Sequence, residues 1–377
     1  LGIAFYLALT AERPVAAVQG FFIAVILVIL ATYLLFNAGS ITFLRFLKGR
    51  KSYYYKPENF ISVSNLIARM RKNAAGLATI SILSTMVLVT LTGSLNLFIG
   101  GQNYLDTMYP SDYNISVGHM TSEAETEPVV EDVQAIIQKT ADATNLSDYQ
   151  VAQTTYWSAE IRKIDGKVLE VYDQSDQETN QELKTEGVVY FFDQATYEQL
   201  TGQKVELGEN EILAYGYHYP GRLDAQLEIN GKSFTIKEKL NSNFIQGKLP
   251  QGSLFQDQMG LYLVLPDLSQ LGLKMDKNLE FSITAKDKEN SAFLDGVIKE
   301  LHSTDKMSQY GATYFSGYDR YSIEKDWRES AGTILFIGIF LSVIFLLATV
   351  LVIYYKQISE GYEDRENFVI LQQVGLD

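Results

Sequence analysis

The sequence predicts a membrane protein made of α-helical transmembrane segments with an inserted α+β extracellular domain. Three observations carry this expectation. Among 377 residues, three long stretches hold no charged side chain; they are bounded by Arg13 and Arg45, by Lys72 and Asp106, and by Glu329 and Lys356. Each exceeds the roughly 20 apolar residues that cross about 30 Å of hydrocarbon. The segment 38–73 carries Arg45, Lys48, Arg50, Lys51, Lys56, Arg69, Arg71 and Lys72 against one acid, Glu58. By contrast, Asp106 to Arg328 holds 37 acidic and 20 basic residues, a balance near −17 in a chain whose total is −14.

The elements follow in order. Residues 1–37 hold the apolar run Leu1–Thr10 and a spanning helix, Val15–Phe36. Leu1–Thr10 is too short to span, and is expected to be the outer end of a helix that starts earlier. A signal peptide would need a basic start and a small-residue cleavage site, and neither is there. Because Lys and Arg accumulate on the cytoplasmic side of short loops, residues 38–73 are placed inside. Within them, Phe60, Val63, Leu66, Ile67 and Met70 share one helical face, and Ser62, Asn65, Arg69 and Lys72 the other. With Pro57 in the first turn, Pro57–Lys72 reads as a basic amphipathic elbow along the inner membrane surface.

Residues 74–100 then return outward as a helix, Ala74–Ile99, on which Ser81, Thr85, Thr92 and Asn96 mark a face for helix–helix packing. No charge lies in any span, which argues against a proton or ion relay. Residues 101–329 are placed outside. Residues 330–355 return as Ala331–Tyr355, and 356–377 lie in the cytoplasm. Tyr33, Phe36, Tyr104, Trp327, Tyr354 and Tyr355 sit where interfacial aromatic anchors belong.

In the exterior segment, Val129, Val133, Ile136 and Ile137 give Pro128–Thr140 a helical period. Asp165-Gly166 and Asn230-Gly231 supply the positive φ of tight turns, joining Ser158–Ile164 to Lys167–Tyr172 and Gln226–Ile229 to Lys232–Lys237. Asp193–Leu200, closed by Gly202, reads as a capped helix. Leu261–Leu265 and Leu279–Ala285 read as strands, and Ser291–His302 as a helix.

Chemistry is sparse. The chain has no cysteine, so thiol catalysis and zinc–thiolate sites are excluded; that composition fits a Gram-positive cell surface. His119, His218 and His302 lack metal-ligand spacing and read as surface or packing residues. No phosphate-binding loop, G-x-S-x-G or H-E-x-x-H motif occurs, so no catalytic residue, metal or cofactor is assigned and the chain is expected not to be an enzyme. Asp173–Glu182 lacks the glycine of a calcium loop and reads as a solvated acidic loop. An acidic exterior repels nucleic acid and favours cationic partners, although plain solubility explains the charge equally well. One segment concentrates binding chemistry: Tyr215, Tyr217, His218 and Tyr219, in an eight-residue run that also holds two glycines, could present rigid amphipathic rings to a peptide. A core-packing turn is the alternative.

After the last span comes YYKQISEGYEDRENFVILQQVG, from Tyr354 to Gly375. This string resembles the cytoplasmic signature of FtsX-like ABC transporter permeases of the bacitracin-export (BceB-like) group. The run RKNAAGLATISILSTMVLVTLTGSLNLFIG, Arg71 to Gly100, is similar to the helix that leads into their exterior domain. The resemblance implies a ten-helix permease of which these are the fifth to eighth helices, and a separate ATPase subunit. It also implies detoxification of antimicrobial peptides that attack cell-wall lipid intermediates, often beside a membrane histidine kinase. Glu360, Tyr362, Glu363, Asp364, Arg365 and Phe368 are then expected to couple to the ATPase, as an aromatic anchor in a charged rim. Two other readings stay open: a mechanotransmitting efflux or lipoprotein-release permease, and a receptor without transport.

Overall fold

The computed structural model describes residues 14–50, 54–55, 57–120, 125–173, 185–217, 223–250, 259–286 and 289–373. The chain divides into a helical unit, Leu1–Ile99 with Ser330–Asp377, and a second unit, Gly100–Glu329. Leu1–Thr10 lies outside the described residues.

In the helical unit, α1 (Pro14–Leu34) passes through a π-turn, Leu35–Gly39, into α2 (Ser40–Gly49). The basic loop expected from residue 38 therefore begins later. Phe43, Leu44, Phe46 and Leu47 keep a helical period, so helix continues past the first basic residue, and the Arg50 guanidinium lies 4.9 Å over the Phe46 ring. The elbow expected at Pro57–Lys72 is not a separate element. It forms the first turns of α3, one helix from Pro57 to Met108, because nothing in Arg69–Ala75 breaks the backbone hydrogen-bond ladder. The second long helix, α8, runs from Arg320 to Gln373. Among the described residues three stretches, Val25–Gly49, Ala74–Met108 and Arg320–Tyr362, are long and apolar enough to cross a membrane.

Small and hydroxyl residues set the α3–α8 contact. Thr90 Oγ1 lies 2.9 Å from Ser342 Oγ, and a Cβ on Gly338 would collide with the Ser94 side chain. This is not the seam read from Ser81, Thr85, Thr92 and Asn96. Thr92 sits about 200° around the helix from Thr90, and Thr85, Thr92 and Asn96 are exposed. A single close approach at Gly338 decided the face, and one helix's sequence does not contain its partner's glycine.

The second unit begins with β1 (Tyr113–Met120), α4 (Thr126–Thr144), β2 (Tyr149–Ile164), β3 (Val168–Val171), β4 (Gly187–Asp193) and α5 (Gln194–Thr201). There follow β5 (Glu211–Tyr217), β6 (Gln226–Ile229), β7 (Lys232–Lys239) and β8 (Met259–Leu265). The unit ends with β9 (Asp276–Ala285), α6 (Ser291–Ser303), α7 (Asp305–Gln309) and β10 (Tyr314–Asp319). Strands pair in the order β10-β1-β9-β2-β3-β6-β7-β5-β8-β4, and β4 pairs again with β2. That last pairing closes seven strands into a small barrel: β2-β3-β6-β7-β5-β8-β4. The sixteen-residue β2 makes this possible. Its residues Tyr149–Ser158 pair with β9, while Trp157–Ile161 pair with β4 and Ile161–Ile164 with β3. One strand thus serves an open four-stranded sheet and then a barrel.

Alternation fills each layer. Ala159, Ile161, Val189, Phe191, Leu227, Phe234, Leu261 and Leu263 point into the barrel. Their neighbours Tyr190, Phe192, Leu213, Tyr262 and Val264 point outward, under Tyr197 of α5 and the segment with Phe244, Ile245 and Leu249. On the open sheet, Ile115, Val117, Leu279, Phe281 and Ile283 face Val129, Val133 and Ile137 of α4 and Phe293, Val297 and Leu301 of α6.

Both predicted hairpins form. Asp165 Oδ1 accepts from the Val168 N–H at 2.9 Å with Gly166 at φ 91°, and Asn230 and Gly231 take φ 42° and 86°. Asp193 caps α5, accepting from the Thr196 N–H at 2.6 Å.

Candidate functional site

The open sheet has a second, polar face, and a cleft of about 290 Å³ opens there, lined by residues of β1, β2, β4, β9 and β10. Its chemistry follows from strand periodicity. In β9 the apolar residues Leu279, Phe281 and Ile283 turn to the helices, so Asp276, Asn278 and Glu280 turn the other way. From β1 come Ser116, Gly118 and His119, from β2 Tyr156, Ser158 and Glu160, from β4 Tyr190, and from β10 Tyr314.

Glu280 forms the floor and is 2% exposed. Its Oε2 accepts a hydrogen bond from the Ser116 hydroxyl at 2.6 Å, and its Oε1 one from the Tyr156 hydroxyl at 3.2 Å. Burial raises the carboxyl pKa to about 7, against the pull of the hydrogen bonds from Ser116, Asn114 and Tyr156. The Tyr156 hydroxyl is pushed well above its ordinary value, first by burial and then by the Glu280 charge. Burial also brings Tyr190 to about 12.

A β-bulge between Val117 and Met120 shapes the rim. His119 takes φ 56° there, which turns its ring so that Nδ1 lies 3.3 Å from Asp276 Oδ2 and edge-on to Tyr314. The hydrogen bond to Asp276 raises the His119 pKa, against the effect of burial. Asn278 Nδ2 donates to Ser158 Oγ at 2.9 Å. A Cβ on Gly118 would stand 2.8 Å from Asn278 Oδ1, so a larger residue there would have to push the amide aside.

The cleft was not foreseen from sequence. His119, read as a surface or packing residue, stands on its rim. The available signal was the alternation D-K-N-L-E-F-S-I from Asp276, which the expected strand, beginning at Leu279, cut short.

The described residues singled out from sequence as sites do not line the cleft. Tyr215 and Tyr217 belong to strand β5, not to a loop, with Tyr215 opposite Tyr262 and Tyr217 opposite Gly260. The Tyr215 ring is half-buried, 5.9 Å from that of Tyr262. Alternation explains it: Ile212 and Ala214 face the barrel, so Leu213 and Tyr215 join the outer layer. His218 and Tyr219 lie outside the described residues. Glu360, Tyr362, Glu363, Asp364, Arg365 and Phe368 all fall on α8. Glu360 is 4.0 Å from Lys356, Tyr362 and Arg365 are exposed three residues apart, and the side chains of Glu363, Asp364 and Phe368 are outside the description. Of the other two histidines, His302 bonds the Ile298 carbonyl at 2.8 Å; among the described residues no three His, Cys, Asp or Glu side chains gather as a metal site.

No protein-family model matches the chain. Curated relatives do. The ABC transporter permease protein YxdM of Bacillus subtilis is 24% identical over 374 residues, 94% of this chain and 52% of that permease. The uncharacterized ABC transporter permease YvcS of the same organism is 24% identical over 100% of this chain and 56% of its own length. The bacitracin export permease protein BceB of Halalkalibacterium halodurans is 22% identical over 93% of this chain and 51% of its own length. The chain thus spans about half the length of the curated relatives it matches, and it is similar to ABC transporter permeases along nearly all of its own. A crystal structure of a putative lipoprotein from Bacillus anthracis aligns with 54% of this chain at 9% identity and a TM-score of 0.24, too low to carry an argument.

Proposed function

We propose that this chain is part of the permease subunit of an ABC transporter that senses and detoxifies cell-wall-targeting antimicrobial peptides, of the bacitracin or lantibiotic type. The observation that carries the reading is collinear similarity to three ABC permeases, one named for bacitracin export, across at least 93% of the chain. Apolar helices that precede and follow one acidic, sheet-rich unit in sequence support it.

In this reading the protein is a multi-pass component of a Gram-positive cell membrane, in contact with lipid, and Gly100–Glu329 stands outside. The peptide, or its complex with a lipid intermediate, meets that unit, with Tyr215, Tyr217, His218 and Tyr219 as contacts. A separate ATPase subunit hydrolyses ATP and docks on α8, where Tyr362 and Arg365 are exposed on the helix that also carries Glu360, Glu363, Asp364 and Phe368. A membrane histidine kinase is the sensing partner.

A second reading, a mechanotransmitting FtsX-like permease, is favoured by one observation. Helices α3 and α8 have 52 and 54 unbroken residues, about 80 Å each, far more than the roughly 30 Å of a hydrocarbon core.

The test is genetic and biochemical. Deleting the gene should lower the inhibitory concentration of bacitracin or a lantibiotic at least several-fold, with the kinase response lost as well. Tyr362→Ala and Arg365→Glu should each reduce copurification of the ATPase. Unaltered peptide resistance, with altered resistance to small hydrophobic drugs, would favour the second reading.

A further inference from the structure

We infer that the cleft of β1, β2, β4, β9 and β10 binds a small organic cation, an alkylammonium or guanidinium group, between Glu280 on its floor and Asp276 on its rim. The inference goes beyond the transport reading and does not depend on it. Four features converge. Among the described residues the lining has three carboxylates, Asp276, Glu280 and Glu160, and neither lysine nor arginine. Lys277, next in sequence to Asp276, points to the opposite face, where its ammonium stands 5.8 Å over the Trp157 ring and donates to the Thr126 hydroxyl.

Among the described residues no cation bonds buried Glu280: the groups that do, from Ser116, Asn114 and Tyr156, are hydroxyls and an amide. Buried carboxylates are ordinarily matched by a cation, and the open side of this one is the cleft. The walls supply the aromatic rings of Tyr156, Tyr190 and Tyr314, surfaces that attract cations through their π faces. The volume, about 290 Å³, is at the lower end for small-ligand sites, which suits the end of one side chain. A metal ion is disfavoured by geometry, since no three ligating side chains gather among the described residues.

Protons compete with such a cation. The groups facing Glu280 are Ser116 and Asn114 from β1, Tyr156 from β2 and Tyr318 from β10; those facing His119 are Asp276, Glu160 and Tyr314. Glu280 is held neutral below about pH 7, and a protonated His119 at the rim repels an incoming ammonium. Affinity should therefore rise with pH through 7. Near neutrality, binding should release protons.

The probe is n-pentylammonium, titrated calorimetrically into the full chain in lipid nanodiscs. The expected result is saturable binding at pH 8 that weakens by about tenfold or more at pH 5.5. N-pentanol, which has the same length and no charge, should not compete. Glu280→Gln and Asp276→Asn should each weaken binding by about tenfold, and Glu280→Gln should also flatten the pH profile. An N-acetyl-lysine methylamide arm separates sources: binding equal to pentylammonium assigns the cleft to side chains of peptides, and exclusion assigns it to free amines. Binding that is independent of pH and unchanged in both variants overturns the inference, as does equal competition by pentanol. The wild-type pH series decides the matter even where a variant fails to fold.

Discussion

The two units obey opposite packing rules. In Gly100–Glu329 the large apolar side chains are inside; Phe191, Phe234, Phe281 and Phe293 are fully buried. In the helical unit they are outside, with Phe336, Ile99 and Leu88 exposed by 71%, 69% and 66%, while the buried side chains include Ser94, Ser342 and Thr349. In water, burial of apolar area drives packing. Where the solvent is itself apolar that drive vanishes, and close backbone approach with small hydroxyl residues takes its place. The same residue types therefore carry opposite structural weight in the two halves of one chain.

The comparison can be broken most directly with phenylalanine. Phe191→Ala empties part of the barrel interior and should destabilise the second unit by ~3–5 kcal/mol, the range for deleting a buried aromatic ring. Phe336→Ala removes a ring that touches little and should shift stability by less than about 0.5 kcal/mol. Urea unfolding of the full chain in detergent reads both, the second unit through the fluorescence of half-buried Trp157 and the helical unit through far-ultraviolet circular dichroism. Equal costs would mean that Phe336 is packed in the folded protein and that the inversion does not hold.

A smaller effect sharpens the rule inside the second unit, where Glu280 is one of the buried charged side chains that depart from apolar burial. A buried acid with a raised pKa stabilises the fold in its protonated form. Its contribution is complete below the unfolded value near 4.5 and is lost as pH rises through about 7. The change amounts to ~3 kcal/mol at most. His119, whose pKa is also raised, adds in the same direction, its contribution falling away as pH rises above its ordinary value. Wild-type stability should thus drop between pH 5 and 8, while Glu280→Gln, which cannot ionise, should drop much less. A wild-type profile that rises over this interval would show Glu280 ionised and paired.

How much of this was legible depended on whether a signal was local. Asp165-Gly166, Asn230-Gly231 and the Asp193 cap are decided by their own φ angles and hydrogen bonds, so sequence alone located them. The long apolar runs were legible too, because hydrophobic length needs no partner. Barrel closure was not: it rests on β2 holding β9 and then β3 along one edge and β4 along the other, and on parallel pairings such as Val189 with Leu261. Strand β5 was missed in part because Tyr215 and Gly216 look like turn residues, yet their register against Tyr262 and Leu261 makes them strand. The cleft was least visible. Glu280, Ser116 and Tyr156 are ordinary residues far apart in sequence, and only the sheet brings them within hydrogen-bonding distance.

A small coupling is expected in the helical unit, between Thr90 and Ser342. A hydrogen bond between hydroxyls in an apolar surrounding looks costly to lose, since no water replaces the partner. Each hydroxyl, however, is already satisfied within its own helix. Thr90 Oγ1 lies 2.7 Å from the Met86 carbonyl, and Ser342 Oγ lies 2.7 Å from that of Gly338. Breaking the contact between the helices therefore leaves neither hydroxyl without an acceptor. The coupling in a Thr90→Val, Ser342→Ala double-mutant cycle should be only about 0.6 kcal/mol, as is usual for hydrogen bonds between membrane helices. Gly338→Val, by contrast, drives a branched side chain into Ser94 and should cost ~1–3 kcal/mol through steric separation of the backbones. Both are measured by unfolding the full chain in mixed micelles. If the cycle exceeds the glycine substitution, hydrogen bonding and not close approach holds α3 against α8, and the rule drawn for this unit is wrong.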